Sequence, residues 1–104
     1  MRLHIIMHES FEAPAAIITW TEENHHSVTY TRLYNNEKFP ANVESFDFLV
    51  VMGGPQSPET TIDECPYFNA KEESQYIGEA IKANKYVLGI CLGAQLIGEA
   101  LGVK

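Results

Sequence analysis

The sequence has 104 residues, 45% of them hydrophobic and 20% charged, so we expect one domain with a genuine core and neither intrinsic disorder nor a disulfide-built miniprotein. A formal net charge of −7 repels phosphate backbones and argues against nucleic acid as a partner. The longest apolar run, Phe48 to Met52, is far below the ~20 residues that cross a bilayer, and no signal-peptide pattern opens the chain. We therefore predict a cytoplasmic protein without membrane contact, with Cys65 and Cys91 as free thiols.

Short apolar segments alternate with amphipathic ones in the first half of the chain. We predict a buried strand over Arg2 to His8 and a helix over about Ala13 to Asn24, with Pro14 in its first turn. The β-branched and aromatic residues of Ser27 to Tyr34 predict a second strand. After a polar loop, Phe46 to Met52 is a third, almost wholly apolar strand that ends in a glycine turn.

The second half continues the alternation. Beyond a long loop from Gln56 to Pro66, apolar spacing predicts a helix over about Ala70 to Ile81, whose charged face we interpret as solvated. Tyr86 to Ile90 is predicted as a fourth buried strand, and the last helix, Leu92 to Leu101, stops at Gly102. The order β-α-β-β-α-β-α predicts an open, mainly parallel α/β sheet, with functional residues beyond the carboxyl ends of its strands.

Cys91 lies between the fourth strand and the last helix, with Gly89 two residues before it and Gly93 two residues after. This is the spacing of a nucleophile elbow, in which bulky side chains at both flanking positions would collide with the neighbouring strand or helix. A helix N-terminus favours the thiolate form of such a cysteine. The backbone N–H of Leu92 is then placed to donate to an oxyanion, and the Gly53-Gly54-Pro55 turn could supply a second donor.

Two segments, VMGGPQSP (Val51 to Pro58) and VLGICLGAQLIGEALG (Val87 to Gly102), resemble class I glutamine amidotransferases. The resemblance covers essentially the whole chain and is closest to stand-alone relatives of the GMP-synthase glutaminase domain. It implies a flavodoxin-like sheet in the order 2-1-3-4 and a cysteine that attacks the side-chain amide of glutamine, releasing ammonia through a glutamyl thioester without a cofactor. The roles it implies are Cys91 as nucleophile, Gly54 and Leu92 as oxyanion donors, and Gly53, Pro55 and Gln95 as substrate contacts.

The same resemblance implies a general base that this sequence does not contain. In the family a histidine, followed two residues later by a glutamate, lies well downstream of the cysteine, whereas here the sequence ends thirteen residues after Cys91. The four histidines all precede Cys91; His8 would lie two strands away, ~10 Å at ~4.8 Å per strand, and we expect it to be structural or pocket-lining. We assign no metal to His25-His26 and no role to Cys65.

We therefore expect residues 1–104 to be the N-terminal part of one amidotransferase domain, inactive alone, whose ammonia acceptor belongs to a synthetase domain or partner. Two alternatives stay open. One is another cysteine-elbow α/β hydrolase, such as a dienelactone-hydrolase-like protein or a member of the DJ-1 group; the other is a non-catalytic flavodoxin-like binding module. In an incomplete sheet the strand Tyr86 to Ile90 becomes an edge, which would favour self-association.

Overall fold

The computed structural model describes residues 1–9, 15–53, 56, 59–90 and 92–102, apart from the side chains of 15–18. Its centre is a parallel four-stranded sheet of β1 (Arg2–Met7), β2 (Ser27–Arg32), β3 (Phe48–Val51) and β4 (Tyr86–Gly89). The strand order is β2-β1-β3-β4, as predicted. Because all pairs are parallel, the carboxyl ends of the strands share one edge of the sheet.

In the described part of the chain, the α-helices that connect or follow the strands are α1 (Ala15–Glu23), α2 (Ala70–Lys82) and α3 (Leu92–Ala100). The side chain of Asn69 caps α2 by accepting a hydrogen bond from the Glu72 N–H. Beyond α3, Gly102 takes a left-handed φ of 78°, the backbone conformation with which helices commonly end at glycine. The predicted stop at this glycine is confirmed.

The predicted α/β class and element order are confirmed, with strands shorter than expected. The second strand ends at Arg32, because Leu33–Asn35 turns into a 3-10 helix. A second 3-10 turn, Val43–Ser45, precedes β3, which starts at Phe48 and not at Phe46. The side chain of Phe46 is nevertheless fully buried, so its apolar character belongs to the core and not to the strand.

The main core lies between the sheet and the helices α2 and α3. It contains buried side chains of β1, β3, the two helices and the loop before α2: Ile6, Leu49, Val51, Phe68, Ile77 and Leu96 among others. A smaller cluster occupies the opposite face and is centred on Leu3, Ile5, Met7, Val50 and Met52. The central strands β1 and β3 are therefore covered on both faces.

The strand β4 differs from the prediction of a buried strand. Tyr86 is 62% exposed, Leu88 45% and Ile90 36%, and β4 stands at the end of the sheet order with β3 as its partner. Alternate residues point to opposite faces of a strand, so one face of β4 carries exposed apolar side chains. The prediction of burial was wrong for that face, whereas the edge position was correctly expected.

None of the described helices is long and apolar enough to cross a membrane.

Candidate active site

The junction between β4 and α3 is a sharp strand-to-helix turn. Two residues separate Gly89, the last residue of β4, from Leu92, the first of α3. The Ile90 N–H donates to the carbonyl oxygen of Val51 at 3.0 Å, and the Gly93 N–H donates to the carbonyl oxygen of Ile90 at 3.0 Å. Position 91 thus directly precedes the helix, although Cys91 itself lies outside the described residues.

Both glycines that flank Cys91 are sterically required. A Cβ at Gly93 would lie 2.0 Å from the carbonyl oxygen of Val51, and a Cβ at Gly89 would lie 2.5 Å from the backbone nitrogen of Ala94. Backbone atoms cannot yield at such distances. The steric reason predicted for Gly89 and Gly93 is confirmed, and the contact with Val51 shows that α3 begins against the end of β3.

Of the candidate oxyanion and substrate residues, Gly53 and Leu92 lie at this same edge. Gly53 is buried two residues beyond the end of β3. Leu92 packs its side chain into the core, 2% exposed, and its N–H belongs to the first turn of α3, where helix N–H groups lack intrahelical acceptors. Gln95 is exposed on α3. Gly54 and Pro55 lie outside the described residues.

A buried polar pair that sequence reasoning missed lies at the end of β1. The His8 Nε2 and the Glu73 Oε2 are 2.7 Å apart, with side chains 0% and 1% exposed. The ring of His8 also meets Phe68 edge-on, with 5.6 Å between ring centroids. Glu73 follows Ala70 by three residues and precedes Ile77 by four, so its place on the apolar face of α2 was readable from the helical period.

His4 is a second buried histidine on β1. Its Nδ1 and Nε2 lie 2.7 Å from the hydroxyl oxygens of Thr29 and Thr31 respectively, and its ring stacks on Phe46. Burial lowers the pKa of His4 to about 4, opposed by the negative charge of Glu37. The ring is therefore neutral at pH 7, and its two nitrogens link β1 to β2 through the threonine hydroxyls.

A further side-chain network joins the connections after β1 and β3 to the loop before α2. The amide of Gln56 donates to Glu9 at 2.8 Å and lies 3.5 Å from the Cys65 sulfur. The Tyr67 hydroxyl also donates to Glu9. Cys65, to which we assigned no role, is 9% exposed and part of the main core. Within the described ranges, no cluster of three or more His, Cys, Asp or Glu could hold a metal ion.

Comparison with known families agrees with this geometry. Residues 10–104 match the family model for class-I glutamine amidotransferases. The chain belongs to the class-I glutamine amidotransferase family. It is 51% identical over 102 residues to the glutamine amidotransferase-like protein YfeJ of Salmonella typhimurium. The match covers 98% of this chain and 43% of that protein.

Solved structures of similar chains share the fold. The crystal structure of SMU.1228c has a TM-score of 0.95 and 48% identity, covering 98% of this chain and 44% of that one. A glutamine amidotransferase from Thermotoga maritima has a TM-score of 0.85 and 28% identity, covering 98% and 43%. The chain thus spans less than half the length of these relatives.

For this family member the structure separates two groups of residues. Gly53, Leu92 and the flanking glycines lie where β3 and β4 end, at the elbow. His8 lies at the end of β1, on the far side of β3 from β4, and is fully buried with its Nε2 engaged by Glu73. The burial of His8 agrees with the structural role expected of it. Its imidazole is therefore not exposed beside the β4–α3 turn.

Proposed function

We propose that this amidotransferase chain carries the cysteine half of a glutamine-hydrolysing site. The main support is steric: a Cβ at Gly89 or at Gly93 would collide with backbone atoms. Glycine is therefore required on both sides of Cys91. A turn this tight has little use in packing a small apolar thiol. It does serve to present a side chain at the carboxyl edge of the sheet with the N-terminus of α3 behind it.

In the proposed reaction the Cys91 thiolate attacks the side-chain amide carbon of glutamine. A sulfur–carbon bond forms and the carbonyl becomes an oxyanion; the carbon–nitrogen bond then breaks, and the nitrogen leaves as ammonia after taking up a proton. Water hydrolyses the glutamyl thioester to glutamate and regenerates the thiol. The helix N-terminus stabilises the thiolate.

The oxyanion is assigned to two backbone donors, the N–H groups of Leu92 and Gly54. Leu92 is the first residue of α3, so its N–H points away from the helix towards position 91. Gly54 follows the buried Gly53 beyond β3, the strand next to β4. Donors fixed before the reaction are worth more than mobile water, because they need not reorganise as charge develops. Gly53, Pro55 and Gln95 are proposed to contact the substrate.

The proposed site lacks its general base within residues 1–104. His8 is buried against Glu73, and His4 is held between two threonines. We therefore propose that these residues form the first part of a longer domain, with the base supplied by sequence beyond them, and that the ammonia serves a synthetase in the cytoplasm. The greater length of the similar glutamine amidotransferase from Thermotoga maritima and of YfeJ supports this.

A chloroketone analogue of glutamine tests the proposal. Attack by the thiolate forms a sulfur–carbon bond and expels chloride, so the labelled cysteine can be located by peptide mass spectrometry. We expect labelling at Cys91, with Cys65 as the internal control, and slower labelling when glutamine is present. A binding module would label without preference and without protection by glutamine, which would contradict the proposal.

Turnover is the second readout. The 104-residue chain should release no measurable ammonia from glutamine, since losing a general base costs a factor of ~10²–10⁴. Ammonia release by this chain that disappears in Cys91→Ala would contradict the assignment of the base to sequence beyond it.

A further inference from the structure

Gln56 is buried although it follows the glycine turn in a loop. Its side chain is 8% exposed, and its Nε2 donates to the Glu9 Oε1 at 2.8 Å. The same nitrogen lies 3.5 Å from the Cys65 sulfur. A loop glutamine would ordinarily direct its amide into water, so this inward contact fixes the chain three residues beyond Gly53.

Glu9 is the shared acceptor of the network. Its Oε1 accepts from both Gln56 and the Tyr67 hydroxyl, and hydrogen bonds to a carboxylate are stronger than those between neutral groups. The bond to Glu9 is the main cause that raises the pKa of Tyr67, so the phenol keeps its proton and remains a donor. Because Glu9 directly follows His8 at the end of β1, Gln56 is tied to the centre of the sheet.

Gln56 does not have all of its own polar atoms satisfied. Its Oε1 is buried with no hydrogen-bond partner among the described residues, and an unpaired buried carbonyl oxygen costs free energy. An apolar side chain would avoid that cost but would lack the donor that Glu9 accepts. A glutamate would place a second carboxylate against Glu9. The need for a donor therefore favours the amide over both of these alternatives.

We propose that Gln56 is a positioning residue for the oxyanion donor assigned above to Gly54: its bond to Glu9, which also accepts from Tyr67, fixes the connection that follows β3. This rests on the proposed function, because it concerns the second donor of that site. Gln56 acts on the backbone of the turn and does not itself touch the reacting atoms. The anchoring groups are Glu9, two residues beyond the end of β1, and Tyr67, in the loop before α2, which packs against the main core.

The first test compares two electrophiles on Cys91. The chloroketone analogue of glutamine presents a carbonyl to the oxyanion donors, whereas iodoacetamide alkylates a thiolate without occupying the substrate pose. In Gln56→Glu and Gln56→Ala we expect the chloroketone rate to fall about tenfold, less than the ~10²–10³ for removing an oxyanion donor outright, while the iodoacetamide rate changes less than about twofold. The control is Gln75→Glu, an exposed glutamine on α2, which should change neither rate.

The pH dependence separates charge repulsion from simple loss of packing. In Gln56→Glu the ratio of the two rates should recover below about pH 5, where a protonated carboxyl again offers a donor to Glu9. In Gln56→Ala the ratio should stay low at every pH. The ratio removes the effect of thiol ionisation, which is common to both electrophiles.

A second measurement does not depend on glutamine chemistry. Amide hydrogen exchange of peptides spanning residues 52–58 should be faster in Gln56→Ala than in the parent chain, with β1 and α2 unchanged. Unchanged exchange there, or a chloroketone ratio in Gln56→Glu equal to that of Gln75→Glu, would overturn the role of Gln56. Absence of chloroketone labelling in the parent chain would instead contradict the proposed function.

Discussion

The strands β1 and β4 are similar in composition and opposite in environment. Both are short, parallel and mainly apolar, yet β1 is buried from Leu3 onward, whereas β4 exposes Tyr86 and Leu88. The difference is position: β1 has a strand on each side, and β4 stands at the edge. Apolar composition therefore identifies a strand that can be buried, and neighbours decide whether it is.

The residues expected to matter for stability lie near the central strand β1, and those proposed for function lie after the edge strand β4. The buried polar groups His4 and His8 belong to the central strand or its end, where each has partners from other elements. The turn proposed to carry the nucleophile follows the edge strand β4, and its glycines allow β3, β4 and α3 to meet closely. We accordingly expect substitutions near β1 to change stability most, and substitutions on the exposed face of β4 to change association.

The largest effect is expected from breaking the buried pair at the end of β1. Glu73→Ala should lower the free energy of unfolding by about 3–5 kcal/mol, because it leaves a buried histidine without its partner. Urea unfolding measures this. The control Glu72→Ala, an exposed neighbour, should cost under about 1 kcal/mol. Similar losses in both variants would show that the pair contributes nothing specific.

Truncations in the two strands compare them directly. Ile5→Ala should cost about 3 kcal/mol, since Ile5 is fully buried and such a change loses transfer energy and leaves a cavity. Leu88→Ala, on the exposed face of β4, should cost under about 1 kcal/mol. Urea midpoints at unchanged slope give both values. Equal losses would mean that the face of β4 is covered in solution.

Much of this division could be predicted from the sequence. Period-2 and period-3.6 patterns predicted the order of elements, and the spacing of Gly89 and Gly93 predicted the close approach of β3, β4 and α3 because its steric reason is local. The tertiary contacts were not predictable in the same way. The partner of His8 is 65 residues away on α2, and the anchor of Gln56 is 47 residues away. Exposure of Leu88 depends on sheet position, which composition does not encode.

Acid should weaken the centre of the sheet through His4. Its folded pKa of about 4 lies below the ordinary value of 6.5 because of burial, so the unfolded chain binds the proton more tightly. Stability is therefore full above about pH 6.5 and falls as pH drops towards 4, by about 2–3 kcal/mol after allowance for solvent screening.

Urea unfolding at a series of pH values tests this. In His4→Gln the part of the pH dependence due to His4 should disappear. The control His25→Asn replaces an exposed histidine whose φ of 57° suits asparagine, and it should keep the slope of the parent chain. If His4→Gln kept that slope as well, another group would be responsible.

The smallest change in stability, with a clear change in association, is expected at the exposed face of β4. We predict that the chain self-associates at micromolar concentration through the apolar edge of β4. Leu88→Lys should weaken this association while changing the unfolding free energy by less than about 0.5 kcal/mol. Sedimentation velocity measures it, with Ser27→Lys on the polar edge strand β2 as control. A parent chain that stays monomeric on concentration would contradict the prediction.

The relative reactivity of the two cysteines decides whether Cys91 stands at a nucleophile elbow. Cys91 precedes the first residue of α3 at a turn that glycines keep open, whereas the Cys65 side chain is buried in the core. Brief exposure of the folded chain to iodoacetamide at neutral pH, followed by peptide mass spectrometry, gives both alkylation rates. We expect faster labelling of Cys91, by a modest factor without the histidine base. Equal labelling of the two thiols in the folded chain would contradict the elbow assignment.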